Sequence, residues 1–108
     1  MKRTVCLDSG CPNWAVQPNA RLLRRLTGHL AARLEEYSQE GITQVKILAD
    51  GLVSAHIAGL EAPAAREALA GQRVYCQAQG RAVLFHIGSG VSFEDLDYVQ
   101  AAAANLLE

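Results

Sequence analysis

The run ITQVKILADGLVSAHIAG, residues 42–59, constrains the fold more than any other stretch of the chain. Two apolar-rich segments flank Asp50-Gly51. Asp-Gly is a strong hairpin signal, because both central residues of the favoured turn take positive φ. Val45, Ile47 and Ala49 alternate with polar positions in the first segment, and Val53, Ala55 and Ile57 do so in the second. A period of two puts each set on one face of a strand. The spacing therefore predicts an antiparallel pair whose apolar face needs a cover. His56 falls on the opposite face and reads as a satisfied or exposed strand histidine.

Candidate covers lie on both sides. Asn19 is a good N-cap. Leu22, Leu23, Leu26, Leu30, Leu34 and Tyr37 then recur at steps that make one helical stripe. Gly41 sits where a left-handed C-terminal residue belongs. Beyond the hairpin, Pro63 suits a first helical turn, AAREALA is helix-prone, and Gly71 closes a second helix. RVYCQAQ and RAVLFHI give another strand pair around Gly80, with Cys76 in step with Val74 and Ala78 as core. Ser92 caps a last helix. Glu94 and Asp95 stand in its first turn, Val91 and Leu96 occupy staple positions, and Leu96, Val99, Ala103 and Leu106 form its stripe. The expected fold class is an α+β two-layer sandwich of order α-β-β-α-β-β-α, with a short N-terminal strand from TVCL. Its mostly antiparallel sheet is covered by helices on one face. Residues 1–18, turn-rich and proline-containing, read as an N-terminal arm, and residues 19–108 as a single domain.

Composition narrows the function classes. A chain of 108 residues can hold one modest core. A net charge of −1 calls for no nucleic acid. No apolar run can span a bilayer, and MKRTVCLDSG lacks a signal-peptide core, so no membrane partner and a cytoplasmic location are expected. Three cysteines, an odd number, point to reduced thiols. The spacing from Cys6 to Cys11 is looser than in common zinc sites and no histidine stands near, so no metal is expected. His29, His56 and His86 are scattered, and spacing assigns none of them a catalytic partner. Gly88, Ser89, Gly90 and Ser92 form a candidate anion loop ahead of a helix. The loop lacks a phosphate-binding lysine, and Glu94 and Asp95 oppose an anion there. Arg21, Arg24, Arg25 and Arg33 make the first helix basic, whereas Glu94, Asp95, Asp97 and Glu108 make the last acidic. These opposed charges, the Ala-rich last helix and Trp14 in the arm lead to the expectation of a homodimer.

VSAHIAGLEAPAAREALAGQRVYCQAQGRAVLF followed by SFEDLDYVQAAAANLL resembles the C-terminal small domain of fold-type I pyridoxal-phosphate enzymes. The likeness is to class V aminotransferases and cysteine desulfurases, and it covers roughly residues 20–108. Leu60, Gly80 and the run Glu94-Asp95-Leu96-Asp97 stand where that pattern has them. The resemblance implies the fold. It also implies an arginine in the last strand, which would bind a substrate carboxylate through a bidentate pair. That place holds Leu84, so the arginine is lost; Arg81 at the turn is a weak substitute. The large domain carrying the Schiff-base lysine has no counterpart in the sequence, and neither Lys2 nor Lys46 lies in a cofactor motif. No catalytic residue is therefore expected. The leading expectation is a stand-alone aminotransferase-like small domain without its own cofactor site, acting by protein–protein contact. One alternative is the small subunit of a split aminotransferase or cysteine desulfurase, with pyridoxal phosphate present only when a separate large domain is paired to it. A further alternative is a small-ligand-binding regulatory domain.

Overall fold

A computed structural model describes residues 4–7, 19–88 and 91–107. Lys2, Cys11, Trp14, Ser89, Gly90 and Glu108 lie outside the described residues, as does most of the predicted arm. The elements in chain order are β1 (Val5–Cys6), α1 (Ala20–Glu35), β2 (Ile42–Ala49), β3 (Leu52–Ile57), α2 (Ala62–Ala70), β4 (Val74–Tyr75), β5 (Gln77–Gln79), β6 (Ala82–His86) and α3 (Phe93–Asn105). This is the expected α+β order with a short strand in front.

The main sheet is antiparallel, in the order β2-β3-β6-β5. Val53, Ala55 and Ile57 of β3 are buried, as are Val83 and Phe85 of β6 and Ile87 just beyond it. α1 packs over β2 and β3, α2 packs over β5 and β6, and α3 lies along α1. Leu26, Leu30 and Leu34 of α1, Leu69 of α2, and Leu96 and Val99 of α3 close the core from the helical side. At ~1.5–3 kcal/mol for each fully buried aliphatic or Phe side chain, this stripe-on-sheet contact is the main driving term of the fold.

Asn19 caps α1, its Oδ1 accepting from the Leu22 N–H at 2.9 Å. Gly41 follows the turns after α1 at φ +133°, a conformation that favours glycine, and a Cβ there would push the end of the Leu107 side chain aside. Pro63 lies in the first turn of α2.

Several expectations are corrected. At the hairpin turn only Gly51 has positive φ, so Asp50 keeps an ordinary backbone and the turn is not the one with both central residues left-handed. Gly71 closes α2 as expected, as a C-cap in right-handed conformation at φ −62°, and a positive φ follows at Arg73. Ile47 and Ala49 are exposed rather than core-facing. β2 is an edge strand whose pairing with β3 slips between Thr43 and Lys46 and again between Ile47 and Ala49, and each slip resets the alternation. The expected strand RVYCQAQ is broken at Cys76. β4 pairs parallel with β1, whereas β5 pairs with β6.

That break has a structural cause. β1 occupies the space beside the end of β6: the Leu7 N–H donates to the Tyr75 carbonyl at 2.6 Å, and the His86 N–H donates to the Leu7 carbonyl at 2.9 Å. Val5 and Leu7 are buried, so this part of the arm belongs to the core. Cys6 is disulfide-bonded, against the expectation of reduced thiols. Cys76 is a buried thiol, in line with its core reading.

Candidate functional site

Leu84 stands at the middle of β6, opposite Ser54 on β3 and Gln77 on β5. Strand parity turns it away from Val83 and Phe85 and onto the face opposite the helices. Even there Leu84 is only 8% exposed and Ser54 only 6%. Leu84 lines an open groove of about 410 Å³ with Arg66, Gln77, Ala78 and Gln79. Arg66 comes from α2, and its Nε donates to the Cys76 carbonyl at 3.2 Å, across the β4–β5 break. Sequence reasoning missed Arg66. Its only signal is a cation on the short helix, and nothing in the spacing ties that helix to Leu84.

Arg81 belongs to a different place. It sits in the turn between β5 and β6 and lines a cleft of about 280 Å³ with Thr43, His56, Gly59, Leu60 and Glu61. Thr43 and His56 are brought together because they are opposite residues of the β2–β3 pair. Leu84 and Arg81 therefore line separate concavities. The second cleft combines a guanidinium, an imidazole and a hydroxyl with one carboxylate. Its volume is at the lower end for a small-molecule site, ~300–1,000 Å³.

The candidate anion loop is described only at Gly88 and Ser92. Ser92 is committed elsewhere. Its Oγ accepts from the Asp95 N–H at 3.2 Å, and its own N–H donates to Asp95 Oδ2 at 2.9 Å. This capping box uses the donor an incoming anion would need and places a carboxylate beside it. Pyridoxal phosphate needs a lysine for the Schiff base and an anion cradle for its phosphate. Lys46 lies exposed on the edge strand β2, opposite Ser54, on a different element from the Ser92 cap. Among the described residues, no three His, Cys, Asp or Glu side chains are grouped to hold a metal ion. No helix of the described residues is long and apolar enough to cross a membrane.

The densest polar cluster joins the two helices whose charges differ in sign. Asp97 Oδ1 lies 2.8 Å from His29 Nε2 and accepts from Arg33 Nε at 3.0 Å. Arg33 Nη1 reaches Glu36 at 3.1 Å, i to i+3 on the same helix. Phe93 packs edge-on to His29, with ring centroids 5.0 Å apart, and Arg25 lies 5.6 Å from its ring centre. The hydrogen bond from His29 holds the Asp97 carboxyl below its ordinary pKa. The positive charge and hydrogen bond of Arg33 act in the same direction, against a desolvation that raises it. The opposed charges that suggested a dimer thus partly meet within one chain. The Ala-rich last helix likewise buries Ala102 and Ala103 in its own core.

No family model matches the chain, and no curated protein matches it. A solved structure, a mutant of M. tuberculosis Rv3290C, is similar over 80% of this chain, with 20% sequence identity and a TM-score of 0.61. This chain spans 21%, about a fifth, of that protein's. The likeness shows a shared fold.

Proposed function

We propose that this chain is an aminotransferase-like small domain without a cofactor site of its own, acting by contact with another protein. The observation that carries this reading is Leu84, which is buried at mid-strand where the resembling enzymes place a carboxylate-binding arginine. An aliphatic side chain there offers a substrate carboxylate no hydrogen bond. The element order also supports the reading. The test is purification from the host cells at native abundance, with mass-spectrometric identification across a size-exclusion profile. A second protein coeluting in constant ratio is expected. Elution without any other chain contradicts the proposal.

A second reading takes the partner to be a separate cofactor-binding chain, with this domain as the small subunit of a split enzyme. The partner's mass and pyridoxal content distinguish the two readings. A larger chain carrying bound pyridoxal phosphate supports the split enzyme, and a cofactor-free partner supports the first reading.

A further inference from the structure

The main sheet has two edges of unequal length. β5 is three residues long, whereas β2 spans eight. Along β2 every residue from Lys46 to Ala49 is exposed, and Ile47 and Leu48 each keep 54% of their surface in solvent. Leu48 is the extra residue of the second slip, lying between the pairs Ile47–Val53 and Ala49–Leu52. An unpaired strand edge with two large aliphatic side chains is a template for another strand, and proteins usually blunt such edges with charge or a bulge.

Here the charges are self-complementary. The segment reads Lys46-Ile47-Leu48-Ala49-Asp50. When two copies align antiparallel with Leu48 opposite its twin, Ile47 of each faces Ala49 of the other. Each Lys46 then faces Asp50 of the partner subunit, and two-fold symmetry makes that ion pair twice. Among the described residues, Asp50 makes a distant ion pair with Arg24 at 3.8 Å, with both side chains more than half exposed.

We infer that β2 is the contact edge of a homodimer, and that its occupant is the β2 strand of a second copy. The pairing joins two four-stranded sheets across an isologous interface. Apolar contact at Leu48 supplies the centre, and the Lys46–Asp50 pairs set direction and register. The bulge confines the ladder to this short stretch, so the dimer is a reversible one whose population follows concentration. This inference is independent of the aminotransferase reading, because it uses the sheet edge and its charges alone.

The test is sedimentation velocity of the full chain from low to high micromolar concentration, with circular dichroism to confirm that each variant is folded. A monomer–dimer equilibrium is expected. Leu48→Lys, at an exposed bulge, should abolish it. Lys46→Asp and Asp50→Lys should each weaken it roughly tenfold, because each creates two like-charge pairs. The double variant Lys46→Asp/Asp50→Lys should recover the original affinity. A monomer at every concentration overturns the inference, and so does a dimer indifferent to Leu48→Lys or to the charge swap.

Discussion

Thr27 shows how much one side chain can hold. It lies in the middle of α1 and is 2% exposed, a costly place for a hydroxyl without partners. Its Oγ1 donates to the Leu23 carbonyl at 2.6 Å and accepts from the Gly51 N–H at 2.7 Å. One hydroxyl thus ties the helix to the hairpin turn. The turn comes close enough that a Cβ on Gly51 would lie 3.0 Å from Leu23 Cδ1. Thr27→Val keeps the shape and leaves the Gly51 N–H buried without a partner. A loss of about 1–3 kcal/mol is expected, read from the urea midpoint, with Thr27→Ser losing less. A loss within the ~0.5 kcal/mol of an ordinary surface change contradicts this role. Nothing in the sequence marked Thr27, because its partner is a backbone amide that only tertiary packing brings near. Asn19 and Ser92 were legible because their partners lie within one turn of the chain.

Among elements, the joint between α1 and α3 combines apolar stripes with the Asp97 cluster. The stripes were legible from three- and four-residue steps. The cluster was not, since periodicity fixes which face is buried but not which charges meet at its rim. In the sequence, Asp97 belongs to an acidic pattern and His29 is a scattered histidine. The cluster makes the joint acid-sensitive. Asp97 has a lower pKa folded than unfolded, so its contribution is present above the unfolded value of ~4. That contribution is lost as pH falls through the folded value. Asp97→Asn should therefore lower stability at neutral pH and flatten the loss of stability below about pH 4. Urea denaturation of both proteins at a series of pH values measures this. Parallel stability curves through that range would mean that Asp97 gains nothing from His29 and Arg33.

At the scale of the molecule, the order of helices and strands could be read from punctuation: Asp50-Gly51, Pro63, Gly80 and Ser92 all fall at element ends. What could not be read came from β1. A two-residue strand carries no period, yet by bonding to Tyr75 and His86 it divides one expected strand into β4 and β5. The exposed run on β2 was also hidden, because slips in register break the correspondence between alternation and face. The candidate site was legible only in part. Leu84 and Arg81 were both singled out, but their assignment to separate concavities depends on the β5–β6 turn and the facing β2–β3 pair, and Arg66 enters through the packing of α2.

The proposed domain has no cofactor site of its own. This is tested most directly by the intact mass of the protein after incubation with excess pyridoxal phosphate, borohydride reduction and removal of free cofactor. The mass of the unmodified chain is expected as the dominant species, with no Schiff-base absorbance before reduction. A stoichiometric single pyridoxyl adduct on Lys46 or Lys2, together with a stable yellow complex, would contradict it.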